Sequence, residues 1–247
     1  PALPKTSVML PEVSPTFTST APAATPILTP LISTPTSPPA RRATPAALTT
    51  RVIIYGDVAT PTPLAPWSAS PGSNPFIGLI WESLLSVDPQ NGMLRAGLAK
   101  SWDVSDDVRT ITFHLQEGIV WHDGRPFTAD DVLATFNQIR SPASRSPWQF
   151  NLLAVESWEQ LDNLVVRVTL SEAGCAALHE IGLVPIWPAH VTASEDWSAL
   201  VGTGPFRLVE QHADGKVVVE RNPSYREPVR LDRLIYVPYE SAEALLQ

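Results

Sequence analysis

From Arg51 onward, apolar and polar positions fall into short, well-marked runs. Arg51-Val-Ile-Ile-Tyr55 is apolar after its first residue and closes at Gly56-Asp57, which predicts a buried strand. A Pro-rich loop then runs from Thr60 to Asn74 and carries Trp67. Asn74-Pro75 supplies a capping side chain and a proline at a first helical position, and Phe76, Leu79, Ile80 and Leu84 follow at helical spacing. Asn91-Gly92 marks a tight turn. Ile111, Phe113 and Leu115 alternate with Thr110, Thr112 and His114, the pattern of a half-buried strand.

Thr128-Ala-Asp-Asp131 fits a capping box, and Val132, Leu133, Phe136 and Ile139 share one face of the helix it opens. Leu164, Val166, Val168 and Leu170 alternate after an Asp162-Asn163 turn. Phe206–Glu210 and Lys216–Arg221 read as a hairpin around Ala213-Asp-Gly215, Leu231–Val237 as a further strand, and Ser241 as a helix start. Strands and helices mix without strict βαβ alternation, so the class is α+β or mixed α/β.

Residues 1–50 break with this patterning. They hold 11 of the 26 prolines, with 11 Thr, 8 Ala and 5 Ser, and only Lys5, Glu12, Arg41 and Arg42 are charged. Such a segment buries too little apolar surface to offset the entropy of ordering it, and its composition favours an extended, semi-rigid tether. The same Thr/Pro mixture permits O-glycosylation. The folded region is therefore expected from about residue 51 to 247, enough chain for a substantial core.

Charge narrows the partners. The tail carries +2 (three basic, one acidic), so residues 51–247 carry −10 of the net −8. An acidic domain without a Lys/Arg run argues against nucleic acid. No window approaches the apolar length of a membrane-spanning helix. The single cysteine, Cys175, removes any disulfide framework or multi-Cys zinc site; flanked by small residues and no base, it reads as a buried filler. The start Pro-Ala-Leu-Pro, without Met, reads as a processed or trimmed chain, and no signal-peptide pattern is visible.

Catalytic motifs are weak. No Gly-x-Ser-x-Gly occurs. His179-Glu180 opens like a zinc-protease helix, but Leu183 stands where a second His belongs, leaving a surface helix pair. Gly202-Thr-Gly204 imitates a dinucleotide loop until Pro205 and Arg207 break it, so a structural turn is expected. His122-Asp123-Gly124 reads as a turn ahead of an imidazole–carboxylate pair. Eight Trp are many for this fold, and Trp67, Trp148, Trp187 and Trp197 lie in loop-like sequence. For Trp67 and Trp148 two roles stay open: filling an irregular core, or walling a ligand cleft with flat rings.

A larger pattern spans the folded region. Leu98-Ala-Lys-Ser-Trp-Asp-Val-Ser-Asp-Asp107, Thr112-Phe-His-Leu-Gln-Glu-Gly118 and Trp121-His-Asp-Gly-Arg-Pro-Phe-Thr-Ala-Asp-Asp-Val132 form one block. Gly202-Thr-Gly-Pro-Phe206, Arg221-Asn-Pro-Ser-Tyr225, Pro185-Ile-Trp-Pro-Ala-His190 and Trp81-Glu-Ser-Leu-Leu85 accompany it, the last as a helix end. Together they resemble the family 5 extracellular solute-binding proteins, the oligopeptide-, dipeptide- and nickel-binding receptors of ABC importers. The resemblance covers about residues 51–247.

It implies a two-lobed clamshell of the periplasmic-binding-protein type II class. Residues 51–90 and 200–247 would form the first lobe and 91–199 an extra subdomain. Members are about twice this length and the second lobe is absent from this sequence, so the chain reads either as a fragment of such a receptor or, if its end is native, as half a binding site. The resemblance further implies a peptide or other small solute as ligand, ABC permease subunits as partners, no cofactor or metal and no catalysis. It implies a periplasmic or extracellular location, with a lipid anchor ahead of a stalk such as residues 1–50. Ala59 and Thr60 match a segment whose backbone lies along the ligand, Trp67 lies in the next such loop, and Trp148 matches a cleft-lining aromatic. The competing reading is a tethered sensory or interaction module on the same fold; a hydrolase would need a nucleophile–base pair that these motifs do not supply.

Overall fold

The computed structural model describes residues 50–57, 76–194 and 200–245. The tail up to residue 49, the loop carrying Ala59, Thr60 and Trp67, the Asn74-Pro75 helix start and Trp197 lie outside the described residues.

Two four-stranded sheets organise the rest. The first joins β1 (Val52–Asp57), β8 (Phe206–Gln211), β9 (Val217–Arg221) and β10 (Arg233–Pro238) in the order β1-β10-β9-β8. Within it β1 and β10 run parallel, with Ile54 opposite Ile235, and β8–β9 is the expected antiparallel hairpin. The second joins β4 (Ala99–Val104), β5 (Thr110–Leu115), β6 (Val155–Asp162) and β7 (Val165–Leu170) in the order β4-β5-β7-β6, antiparallel throughout. A two-stranded ribbon pairs β2 (Leu85–Val87) with β3 (Leu94–Ala96), turning at Asn91-Gly92, where glycine holds φ +72°.

The alternating runs behave as their period requires. Ile111, Phe113 and Leu115 on β5 and Val166, Val168 and Leu170 on β7 all face inward, with Phe113 opposite Val166. Helix α1 (Ala129–Arg140) lies against β6 and β7, burying Val132, Phe136 and Ile139. Its capping box is present: the Asp131 carboxylate accepts from the Thr128 backbone N–H at 2.9 Å. Helix α2 spans Ala176–Gly182, α3 Ala189–Ser194 and α4 Ala242–Leu245, with a 3₁₀ helix over Pro147–Leu152.

Four local expectations are corrected. The segment Phe76–Leu84 is not an α-helix, although Phe76, Ile80 and Leu84 are buried. Gly78 takes φ +85°, and the Leu79 and Ile80 carbonyls accept from the N–H groups of Phe206 and Gly204 at 3.0 and 2.9 Å. Carbonyls claimed by a distant segment cannot continue an i→i−4 ladder. For the same reason Trp81-Glu-Ser-Leu-Leu85 runs as bridges into β2, and is no helix end.

Strand β1 forms where expected, but it is not buried: Val52, Ile53, Ile54 and Tyr55 are 45%, 52%, 68% and 45% exposed. It is the edge of its sheet among the described residues, and Tyr55 keeps one ring contact, with Tyr236 at 6.0 Å. Cys175 is exposed. It precedes α2, whose inward face carries Ala177 and Ile181 four residues apart, and Cys175 falls off that face.

Candidate functional site

Trp148 is the one sequence-predicted ligand residue among the described residues. Pro147 opens its 3₁₀ helix, and the Ser146 hydroxyl accepts from the Trp148 backbone N–H at 3.3 Å. The indole lies in the hydrophobic core and is 4% exposed. Its neighbours Phe150 and Leu153 are 77% and 73% exposed. A 3₁₀ helix has three residues per turn, so Pro147, Phe150 and Leu153 share a face, and that spacing was the signal for an apolar surface the sequence reading missed. Beside it a groove of about 400 Å³ is lined by Arg140, Pro142, Gln149, Leu152 and Leu153. Arg140 crosses the Trp158 ring at 4.1 Å and donates to the Glu156 carbonyl at 3.1 Å and to the Val155 carbonyl.

The family-like motifs converge elsewhere, on a polar network that joins distant stretches of chain. Glu82, 9% exposed, receives both arms of Arg226 at 2.9 and 2.6 Å and the Tyr225 hydroxyl at 3.1 Å. Burial, reinforced by the Glu82 charge, pushes the Tyr225 phenol well above its ordinary range, so it stays a donor. A cleft of about 230 Å³ opens beside this trio, lined also by Ser83, Arg95 and Leu183.

Gly202 and Gly204 pass hard against Ile80. A methyl group on Gly202 would overlap the Ile80 carbonyl oxygen, and one on Gly204 would come within 2.8 Å of it. Close approach, with no positive φ, requires glycine at both positions. His122 clamps the segment from the far side. Its Nδ1 accepts from the Gly202 N–H at 3.2 Å, which leaves Nε2–H to donate to the Gly204 carbonyl at 3.1 Å. Burial holds the His122 imidazole below its ordinary pKa, in keeping with this neutral tautomer. Asn222 adds a donor to the Gly204 carbonyl at 3.1 Å.

A second hub forms at Asp131. Its carboxylate accepts from Thr128 N–H, from Trp121 Nε1–H at 3.2 Å and from Ala189 N–H at 2.8 Å. Burial raises the Asp131 pKa, and these three donors oppose the shift. His122 does not pair with its neighbour Asp123, which binds His190 at 2.7 Å while Gly124, at φ +86°, completes the expected turn. Among the described residues, no group of three or more His, Cys, Asp or Glu is placed to hold a metal ion. These motifs thus fix backbone segments against one another, and the groups they align are structural donors and acceptors.

Comparison with known proteins assigns the class. Residues 94–247 match the family model of bacterial extracellular solute-binding proteins, family 5 Middle, and the chain belongs to that family. A peptide-binding protein of an ABC transporter from Brucella ovis is 32% identical over 168 residues, covering 64% of this chain and 32% of that protein. Di/tripeptide-binding protein 1 of Pseudomonas aeruginosa is 31% identical over 173 residues, 57% of this chain and 32% of its own. The chain spans about a third of the length of these relatives.

Two solved structures agree. NikZ from Campylobacter jejuni in complex with Ni(L-His) superposes with a TM-score of 0.68 at 27% identity, covering 77% of this chain and 39% of that one. AgaA from Agrobacterium tumefaciens in complex with agropinic acid gives 0.73 at 26%, covering 79% and 41%. The fold is therefore part of the family 5 clamshell. No helix among the described residues is long and apolar enough to cross a membrane.

Proposed function

We propose that the chain supplies part of the substrate-binding component of an ABC importer for peptides or similar solutes. The observation that carries this reading is the family match over residues 94–247, joined by relatives whose names are those of peptide-binding proteins. In this reading the protein is a non-catalytic receptor, residues 51–90 and 200–247 form the first lobe, and 91–199 form the extra subdomain. Support comes from the sheets: the first draws only on residues 52–57 and 206–238, the second only on 99–170. The β2–β3 ribbon then marks the junction.

Ala59, Thr60, Trp67 and Trp148 are proposed as ligand contacts. Trp148 would act as the buried floor beneath Phe150 and Leu153, flat rings giving contact area at low rotamer cost. The Pro/Thr-rich tail would space the domain from a membrane outside the cytoplasm, behind a lipid anchor. A direct test isolates the protein from its source without denaturation, releases bound solutes and identifies them by mass spectrometry. Short peptides or chemically similar solutes are expected; a preparation that releases no solute from repeated isolations contradicts the proposal.

A further inference from the structure

One imidazole closes a clamp between the surroundings of the two sheets. His122 lies in the turn that follows β5 and precedes α1, and the segment it grips, Gly202 to Pro205, leads into β8. Three bonds join them. His122 N–H donates to the Gly202 carbonyl at 2.8 Å, Gly202 N–H donates to Nδ1 at 3.2 Å, and Nε2–H donates to the Gly204 carbonyl at 3.1 Å.

The same segment is held from its other side without His122. Gly204 N–H reaches the Ile80 carbonyl at 2.9 Å and Phe206 N–H the Leu79 carbonyl at 3.0 Å. Asn222 donates to the carbonyls of Pro205 and Gly204 at 2.8 and 3.1 Å. All of these bonds run between described residues.

Only the His122 side is open to a proton. A neutral imidazole presents one donor and one acceptor, as the clamp requires, whereas an imidazolium presents two donors. Protonation at Nδ1 therefore sets one N–H against the Gly202 N–H and abolishes that bond. Burial is the largest bias against a charged ring; the Gly204 carbonyl opposes it, Arg207 on β8 adds repulsion, and Asp123 in the same turn adds a smaller attraction. The Asp123 carboxylate is already engaged by His190 at 2.7 Å and by Arg125 at 3.7 Å. Asp131, on α1, is taken up by Thr128, Trp121 and Ala189.

We propose that His122 is a proton-operated latch: neutral, it joins the turn after β5 to the segment before β8, and protonated, it lets go of that segment while Ile80 and Asn222 keep it. The release is one-sided, so the turn and the segment part without the segment itself unfolding. Local openings of this kind occur well below the free energy of global unfolding.

Amide hydrogen exchange of the full 247-residue chain tests this, read residue by residue by NMR as protection relative to the unstructured rate at each pH. Below the ordinary imidazole value of about 6.5, protection of the Gly202 N–H is expected to fall about tenfold per pH unit, because opening takes up one proton. The Gly204 N–H, bonded to Ile80, keeps its protection over the same range. Ring ¹⁵N shifts are expected to show the Nε2–H tautomer at neutral pH and to change in step with Gly202. His122→Gln retains an acceptor and a donor on a side chain that does not titrate, and makes Gly202 protection independent of pH. Should that variant fail to fold, the paired Gly202 and Gly204 readings on the unsubstituted chain still decide. Gly202 protection that stays constant down to about pH 5, well below the ordinary imidazole range, overturns the proposal. So does joint loss at Gly202 and Gly204, which is unfolding of the whole segment, or a fall at Gly202 that persists in His122→Gln.

Discussion

The Glu82 carboxylate and the Arg226 guanidinium form a two-armed ion pair across 144 residues of chain, at 2.9 and 2.6 Å, with the acid almost fully buried. Removing one partner of such a pair leaves an uncompensated charge indoors. Arg226→Ala is expected to lower unfolding free energy by about 3 kcal/mol, and Glu82→Gln by a similar amount. Urea unfolding of the singles and the double variant checks this: the double loses clearly less than the sum.

Gly202 and Gly204 give a second expectation. Because an added methyl meets the Ile80 backbone, relief requires moving two segments whose own hydrogen bonds hold them. Gly202→Ala should cost about 3 kcal/mol, at the upper end for overpacking. Gly174→Ala, where no atom lies within 4 Å of the added carbon, should leave the thermal midpoint nearly unchanged.

The pH response follows from His122 and Asp131. Burial lowers the His122 pKa in the folded protein, so the unfolded chain takes up that proton first. Stability is therefore complete above the ordinary imidazole value of about 6.5 and falls as pH drops below it. Asp131 acts in the opposite sense: burial raises its folded pKa, so its protonation as pH falls partly relieves the cost of its buried charge. Thermal midpoints measured from pH 8 downward should begin to fall in the mildly acidic range. His122→Gln should be less stable at neutral pH and should lose most of that slope. An unchanged slope would assign the acid sensitivity to other groups.

Much of the fold was legible because its signals were local. Thr128 and Asp131 stand at capping-box spacing and form that box; Ile111 to Leu115 and Leu164 to Leu170 alternate with the sheet period and bury the expected face. The misreadings arose where distant chain decides. Phe76, Ile80 and Leu84 recur at helical spacing, yet Gly204 and Phe206, more than a hundred residues away, take the carbonyls a helix would need. The run Val52–Tyr55 is apolar enough for a core strand, yet it lies at the edge of its sheet among the described residues and is 45% to 68% exposed. No periodicity distinguishes those two situations.

The candidate site was legible in part. The motifs of the resemblance pointed to the right family, and the glycines at 202 and 204 were expected to be architectural, as the Ile80 contacts make them. What no motif announced was the exposed pair Phe150 and Leu153, whose common face appears only once Pro147–Leu152 is seen as a 3₁₀ turn. Trp148 offers a matching expectation. Trp148→Ala empties a core position and should cost about 3–5 kcal/mol. Phe150→Ala, at a side chain in solvent, should leave unfolding unchanged within about 0.5 kcal/mol.

Solute uptake with this chain as a binding component is the role proposed above. The most direct measurement compares uptake of labelled di- and tripeptides by source cells with and without the gene, restored by the wild-type copy and by a Trp148→Phe copy. Loss of uptake on deletion, full rescue by the first and weakened rescue by the second are the results this account predicts. Uptake that is unchanged by deletion across peptides and related solutes would contradict it.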